Sequence, residues 1–415
     1  MYRIDEPDAA LLDSAQARFT QPVPELVAAL PEPSVQRDLR LDFFRGLALI
    51  LIFIDHVPEN VLSYFTLQAV GFYDAAEVFI FISGFTAALV YGRRMAGKGA
   101  LYAIAQVLRR AWQLYVAHIF LFVLFVAEVS YTAATFKNPM YNEEMRVADF
   151  LDEPHVAIVK ALLLQFQPTF LDILPMYILM LLIFPAVLVG MQRHPLWVLA
   201  LSALIYLQVQ LFGVSVPAYP EGHVWFFNPL AWQFLFVAGA LLGNPNLSGR
   251  TMTTMVRTAY PFAIVIFVAA SVIKLTWTIH GLWEAFPGLF LRELWPVYKN
   301  NLPVLRLVPF FALVVLVSVW VPRDARFLGS ASLRPLVRCG QQSLEIFCLG
   351  ILLSALGHFI LSEYESGILA QLAVNAVGIT AMLLTATLID WYKRLDRLPT
   401  LQPALPQARR DELAR

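Results

Sequence analysis

The sequence predicts an all-α, polytopic integral membrane protein with about ten transmembrane helices and both termini in the cytoplasm. Of its 415 residues, 59% are hydrophobic and only 14% are charged, whereas soluble domains carry about 25% charged residues. The mean hydropathy is +0.65. The formal net charge is zero, which gives no support to nucleic-acid binding. These values favour a membrane protein over a soluble enzyme.

Ten apolar stretches approach the roughly 20 residues that a helix needs to cross a bilayer. We place them at residues 43–62, 71–91, 112–131, 171–191, 196–213, 229–243, 258–277, 305–321, 343–361 and 368–391. Residues 1–36 contain Pro, Ala, Glu and Asp but no apolar segment, and they predict a disordered cytoplasmic tail without a cleavable signal peptide. The membrane domain is therefore expected at 37–395, followed by a second cytoplasmic tail at 396–415.

Lys and Arg residues alternate between connections in a way that predicts orientation. The connection after the second span holds Arg93, Arg94, Lys98, Arg109 and Arg110, whereas connections 63–70, 214–228 and 362–367 hold none. Cytoplasmic loops carry the excess of positive residues, so both termini are predicted to be cytoplasmic. The two cysteines have no metal-ligand spacing, and nothing in the sequence predicts a metal or a tightly bound cofactor.

The first span carries ionisable residues, which are costly in a bilayer. His56 follows Arg45 by eleven positions, so the two residues lie about 20° apart around a helix and roughly 16 Å apart along it. One helix face therefore presents a cation near its start and an imidazole deep inside. Asp55 points about 100° away from His56. The alternative reading of a single membrane histidine is a hydrogen-bonded structural residue.

Other polar residues are predicted at the depth of His56, below the outer face. Asp74 and Glu77 share one face near the outer end of the second span. The remaining candidates are Asp172, Trp232, Gln233 and His358. An acid near a helix N-terminus, such as Asp74 or Asp172, is often a cap or a dipole partner instead. Together these residues predict a polar pocket. His118, nearer the inner side, is predicted to be a satisfied structural histidine.

A carboxylate beside an imidazole orients the ring and stabilises the imidazolium that forms when it accepts a proton. His56 is thus the candidate general base, with Glu77, Asp74 and Asp55 as candidate catalytic neighbours. Ser83 is a conceivable nucleophile, although a Ser-Gly pair in a membrane helix is more often a close-packing site.

Arginine residues near the cytoplasmic surface are suited to a polyphosphate, because a guanidinium binds phosphate in a bidentate way. The candidates for binding such a polyphosphate are Arg45, Arg40, Arg93 and Arg94. For most of Arg93, Arg94, Arg109 and Arg110, the favoured interpretation is instead charge that sets membrane topology. Arg45 is the exception, because it shares a face with His56.

Six ordered stretches carry a resemblance to a known family: RDLRLDFFRG at 37–46, DHVPEN at 55–60, GFYDAAEVFIFISGF at 71–85, LDILPMY at 171–177, NPLAWQ at 228–233 and QQSLEIF at 341–347. Over about residues 37–392 the chain resembles the OpgC-type family, the succinyltransferases of osmoregulated periplasmic glucans, within the wider acyltransferase-3 group.

The resemblance implies a bacterial inner-membrane enzyme of about ten spans. Such enzymes are thought to move an acyl group from cytoplasmic acyl-CoA to a sugar hydroxyl on the periplasmic side. The essential histidine of the wider group maps onto His56. Succinyl is the type activity, while acetyl or longer chains occur among relatives of the group. We expect the acceptor to be a periplasmic glucan that contacts Asp172, Trp232, Gln233 and His358.

Two other functions stay open at this point. A transporter or flippase also uses intramembrane ionisable residues and Pro-interrupted helices. An acyltransferase acting on another surface polysaccharide or on a lipid is the second alternative. The sequence contains no visible inverted repeat, and its basic residues cluster where CoA would bind. Both observations disfavour the carrier.

Overall fold

The computed structural model describes residues 37–58, 60–247, 249–279, 297–364 and 366–396. These residues form helices and turns, with isolated bridges between Phe166 and Tyr219 and between Pro217 and Val224. Ten helices within these ranges have fourteen residues or more: α1 Leu39–His56, α2 Ala75–Lys98, α3 Ala100–Phe136, α4 Ile173–Arg193, α5 Pro195–Phe212, α6 Pro229–Leu242, α7 Gly249–Thr278, α8 Val304–Trp320, α9 Ser343–Glu363 and α10 Ile368–Leu395. Shorter helices are Leu67–Val70, Met140–Glu144, Ala148–Asp152, Pro154–Leu162 and Arg334–Gln341, with 3₁₀ turns at Val61–Phe65 and Arg326–Gly329.

Seven of these helices are long and apolar enough to cross a membrane, namely α2, α3, α4, α5, α7, α9 and α10. Helices α6 and α8 are apolar but shorter, and α1 has 18 residues that include Arg40, Asp42, Arg45 and Asp55. The predicted all-α, polytopic fold class is confirmed. The number of spans, their orientation and the assignment of the tails stay predictions, and the tails lie almost wholly outside the described residues.

Helix α1 ends at His56, so the predicted extension of the first span to residue 62 is wrong. The physical reason is Pro58, which disfavours helical backbone in the residue before it. The Asn60 side chain then donates a hydrogen bond from Nδ2 to the Ile54 carbonyl at 2.9 Å. This bond satisfies one of the backbone carbonyls that the last turn of a helix leaves without a helical partner. Asn60 is held in turn by reciprocal hydrogen bonds of 3.0 Å with Asn375 of α10. His56 is therefore the last helical residue, at a backbone position fixed by a second helix.

Helix α1 packs closely on the short helix Arg334–Gln341. A Cβ atom at Gly46 would collide with the Leu336 carbonyl oxygen, and one at Gly340 would collide with the Asp42 carbonyl oxygen. Only glycine allows this approach, in the way that small residues let membrane helices pack closely. The contact fixes the stretch of α1 that carries Arg45.

Helices α2 and α6 also approach through glycines. A Cβ atom at Gly84 would meet the Phe236 backbone, and one at Gly239 or Gly243 would meet the backbone of Phe81 or Phe85. The Ser-Gly pair at 83–84 is thus a close-packing site. This contact fixes α2, which carries Asp74 and Glu77 at its start.

We expect Gly84→Val to destabilise the protein by about 1–3 kcal/mol or more, because the added atoms would overpack a backbone contact. Thermal unfolding in detergent, followed by circular dichroism, measures the change. The matched control is Gly97→Val in the same helix, since a Cβ atom there meets nothing within 4 Å. Equal shifts for the two variants would contradict the close-packing assignment.

Candidate active site

Asp74 and Glu77 begin helix α2 as a capping box. Asp74 Oδ1 accepts a hydrogen bond from the Ala76 N–H at 2.8 Å, and the Asp74 N–H donates to Glu77 Oε2 at 2.9 Å. Each carboxylate satisfies a backbone donor that the first turn of a helix leaves unpaired. One oxygen of each carboxylate remains available for another partner.

Two cations fill those remaining positions. Arg306 of α8 donates from Nε to Glu77 Oε1 at 2.7 Å and from Nη2 to Asp74 Oδ2 at 3.1 Å. Lys299 Nζ lies 3.2 Å from the same Asp74 oxygen. Glu77 is completely buried, and Asp74 and Arg306 are nearly so. We call Asp74, Glu77, Lys299 and Arg306 the four-charge cluster. Its two acids and two bases compensate one another, as buried charges must.

Sequence reasoning missed Arg306 and Lys299 as site residues. The available signal was Arg306 itself, which lies inside an apolar predicted span, where an ionisable residue requires a partner. Lys299 lies in the connection between the seventh and eighth predicted spans, of which residues 280–296 lie outside the described residues.

The expected hydrogen bond from the His56 ring to Asp74 or Glu77 is absent from the described structure. Both carboxylates are held by Arg306, Lys299 and the α2 backbone, so no hydrogen bond to the ring forms. The catalytic role assigned to these two acids stays a prediction. Their observed contacts support an indirect role, in which they hold the two cations.

The His56 ring is half-buried at the end of α1. Its Nδ1 atom is enclosed and, among the described residues, has no hydrogen-bond partner. The accessible part of the side chain therefore lies on the Nε2 side. The ring packs against Phe170, with centroids 4.6 Å apart and planes tilted by 56°. Phe170 has φ of +72°, a left-handed conformation that is uncommon for a bulky residue and occurs often at functional sites.

Lys299 lies among the polar residues that the sequence predicted to converge. It lies within electrostatic range of His56, Asp55 and Asp172, without a direct ion pair to any of the three among the described contacts. Asp172 is half-buried at the start of α4, and its side chain makes no capping hydrogen bond there. Asp55 accepts a hydrogen bond from Gln68 Nε2 at 2.9 Å. Three helix ends therefore bring ionisable groups around one lysine.

Trp232 and Gln233 are engaged internally. The fully buried Trp232 donates its indole N–H to the Lys299 and Asn300 carbonyls at 3.2 and 3.0 Å. Gln233 exchanges hydrogen bonds with Ser202 of α5, from Ser202 Oγ at 2.6 Å and to the Ser202 carbonyl at 2.8 Å. These contacts hold the Lys299 segment and α5 against α6. The Trp232 indole N–H and the Gln233 side-chain amide are therefore already hydrogen-bonded within the protein. The acceptor contacts expected of these two residues stay predictions.

His358 belongs to a separate polar contact. Its Nε2 lies 3.1 Å from Glu144 Oε2, and the neighbouring Tyr141 hydroxyl donates to Glu363. Burial, together with this hydrogen bond, raises the pKa of Tyr141 to about 12, so the phenol keeps its proton. These pairs tie α9 to the segment Met140–Glu144. The predicted acceptor contact of His358 stays a prediction.

His118 is completely buried in α3, and neither ring nitrogen has a partner within the described part of the chain. The prediction that His118 is a hydrogen-bonded structural histidine is therefore wrong within the described residues. The reason is that His118 lies in an apolar stretch of α3, where no described donor or acceptor reaches the ring.

A cavity of about 130 Å³ lies beside α2. Arg45 and Arg110 line it, and Arg45 Nη2 donates to Thr86 Oγ1 at 2.9 Å. The other lining residues are Phe79, Ser83, Thr86, Ala87, Val90, Tyr91, Leu114, Leu174, Tyr177, Ser343, Leu344 and Phe347. From Tyr91 to Phe79 the α2 lining extends for about 18 Å at the helical rise. The lining of the cavity thus includes both Tyr91, toward the end predicted to be cytoplasmic, and Leu174, two residues beyond Asp172.

Of the four arginines predicted to bind the donor, only Arg45 lines the cavity. Arg45 lines this inner cavity, whereas Arg40 donates to the Val321 carbonyl at 2.9 Å and Arg93 and Arg94 are exposed. Arg110 lines the cavity, although its sequence position favoured a topological role. The signal that could have found it is helical period, because Arg110 precedes the buried Leu114 by one turn of α3.

A family model described as OpgC protein matches residues 37–394. No curated protein and no solved structure matches the chain. The matched range contains all ten long helices except the last residue of α10, together with the four-charge cluster, His56 and the inner cavity. The chain therefore belongs to the OpgC family of glucan-modifying membrane acyltransferases.

Proposed function

We propose that this protein transfers an acyl group, expected to be succinyl, from cytoplasmic acyl-CoA to a hydroxyl of a periplasmic glucan in the bacterial inner membrane. The observation that carries the proposal is the position of His56. His56 lies at the end of α1 predicted to face the periplasm, within electrostatic range of Lys299, while the cavity lined by Arg45 and Arg110 is also lined by Leu174 near the start of α4. Family membership supports the acceptor class.

The donor is assigned to the inner cavity. Arg45 and Arg110 bind its phosphates, since charge-assisted hydrogen bonds from guanidinium to phosphate are strong and directional. The pantetheine arm lies between the aromatic rings of Phe79, Tyr177 and Phe347, which line the cavity. This arrangement directs the thioester toward the start of α4 and the region of Lys299.

His56 Nε2 takes the proton of the acceptor hydroxyl as its oxygen attacks the thioester carbonyl carbon. The tetrahedral intermediate then collapses and the carbon–sulfur bond breaks. The imidazolium returns the proton to the sulfur, and CoA leaves as the thiol. The Lys299 ammonium supplies positive charge for the oxyanion, a stabilisation that is large when the donor is held in advance. Asp74 holds Lys299 for this task through their 3.2 Å contact.

Mass spectrometry of periplasmic glucans from a deletion strain tests the acceptor and the acyl group together. We expect loss of one ester substituent and its return when the gene is restored. A transporter would instead alter the amount of glucan in each compartment. Incubation of the purified protein in detergent with radiolabelled acyl-CoA and glucan separates the two functions. An enzyme forms labelled glucan ester in this single compartment, whereas a transporter forms none.

We expect Arg110→Ala to raise KM for acyl-CoA by about 10–100-fold, the range that follows from losing one hydrogen bond to a charged group. Steady-state kinetics with saturating glucan measures the change. Arg109→Ala is the matched control, since Arg109 is exposed and lies outside the cavity lining. Equal KM values for the two variants would return Arg110 to a topological role.

A further inference from the structure

A second, larger cavity of about 350 Å³ lies among three loop segments on the side predicted to be periplasmic. We call it the outer cleft. It shares no lining residue with the inner cavity. Its lining includes the polar and aromatic side chains of Glu143, Arg146, Asp149, Tyr219, His223 and Phe226. Its volume falls in the range of small-molecule sites, about 300–1,000 Å³.

Backbone hydrogen bonds join the walls of the outer cleft to one another. The Tyr219 N–H donates to the Gln165 carbonyl at 2.9 Å, and within one wall the Ala218 N–H donates to the His223 carbonyl at 2.9 Å. The Thr169 N–H donates to the Met145 carbonyl at 3.1 Å. The three segments therefore support one another, and the cleft exists before any ligand enters it.

The lining combines ring faces with side chains of both charge signs. Arg146 and His223 offer donors, Glu143 and Asp149 offer acceptors, and Tyr219 and Phe226 offer half-buried rings. A phosphate would be repelled by the acids, and a cation would be repelled by the arginine. A neutral sugar fits both features, because each hydroxyl donates and accepts hydrogen bonds while its C–H face packs on an aromatic ring.

One lining residue of the outer cleft contacts the proposed reaction centre directly. The Phe226 ring, which lines the cleft, lies 5.6 Å from Lys299 Nζ. Phe166 also lines the cleft, and Phe170, four residues later in the chain, packs on His56 with ring centroids 4.6 Å apart. A chain seated in the cleft would therefore contact Phe226 beside Lys299, the lysine of the four-charge cluster.

We propose that the outer cleft binds the glucan chain and presents one of its hydroxyls to His56. The inference rests on the proposed function for the reaction that follows, whereas the binding itself does not depend on it. It gives the acceptor a place among residues whose polar groups face the cleft, in contrast to Trp232 and Gln233.

The test uses purified full-length protein and periplasmic glucan that has been freed of acyl groups by mild alkali. Calorimetry without acyl-CoA measures the Kd of Arg146→Gln and of His223→Ala, two exposed side chains whose replacement should leave the fold intact. We expect Kd to rise about tenfold for each variant, as for a lost hydrogen bond of ordinary strength. Tyr364→Ala is the control, because this exposed tyrosine lies in another connection and outside the cleft.

Kinetics separates the two proposals. We expect KM for glucan to rise in both variants while KM for acyl-CoA and kcat stay near the wild-type values. Unchanged Kd in both variants, or no glucan binding by the wild-type protein, overturns the outer cleft as acceptor site. Weakened binding in the variants without acyl transfer by the wild-type protein would uphold the cleft and overturn the proposed function.

Discussion

Replacing His56 by Gln is expected to lower the rate of acyl transfer by about 10²–10⁴-fold, the usual contribution of a general base. Gln keeps a polar side chain of similar size but takes no proton at neutral pH. The Nδ1 atom has no hydrogen-bond partner among the described residues, so the substitution breaks no observed hydrogen bond of the ring. The fold and the affinity for acyl-CoA should therefore survive.

The measurement is single-turnover transfer from radiolabelled acyl-CoA to glucan, with thermal unfolding as the check on folding. His155→Gln is the matched control, since this histidine is exposed in a connection predicted to be periplasmic. Undiminished transfer by a folded His56→Gln protein would remove the general base from the proposed mechanism. A loss confined to acyl-CoA affinity would place His56 in donor binding instead.

Replacing Arg306 by Met is expected to destabilise the protein by about 3–5 kcal/mol, because removing one partner leaves a buried charge uncompensated. Glu77 is completely buried, and its Oε1 atom accepts from Arg306 Nε at 2.7 Å. Asp74 would keep Lys299 as its second partner. The penalty therefore falls mainly on Glu77.

Thermal and denaturant unfolding in detergent measure the loss. Combining Arg306→Met with Glu77→Gln should recover part of it, since removing both members of a buried ion pair costs less than removing one. Arg257→Met on α7 is the control, because that arginine is exposed and surface changes usually stay within about 0.5 kcal/mol. An Arg306→Met protein as stable as the control would show that the four-charge cluster is dispensable for folding.

The His56→Gln and Arg306→Met substitutions are expected to affect activity in different ways. His56→Gln changes the chemical step in a folded protein, whereas Arg306→Met acts on the support of Asp74 and, through it, on Lys299. A folded Arg306→Met protein with reduced kcat and an unchanged KM for acyl-CoA would support that indirect role.

Much of the helical architecture follows from the sequence, because long apolar runs have few alternatives in a membrane. The alignment of Arg45 and His56 on one face of the first helix was also accessible, since it depends only on helical period. Pro58 carried a further signal, the early end of α1 at His56, which the predicted span to residue 62 did not use.

The pairing of the ionisable residues, in contrast, could not be predicted from the sequence. Arg306 reaches Glu77 across 229 positions of sequence and Asp74 across 232. Helical period orders residues within one helix, but it says nothing about which helix lies opposite. A prediction of Asp74 and Glu77 beside His56 and the observed pairing with Arg306 are equally compatible with the local sequence.

The amino-acid sequence by itself determined that this chain is helical and polytopic and that its first helix carries a cation and an imidazole on one face, because hydropathy and helical period are local properties. Only the tertiary structure decided that Asp74 and Glu77 hold Arg306 and Lys299, that Trp232 and Gln233 bond internally, and that Arg110 joins Arg45 at the inner cavity. Those outcomes depend on glycine-mediated helix contacts and on charge compensation between segments far apart in the chain, and both arise only when the helices pack.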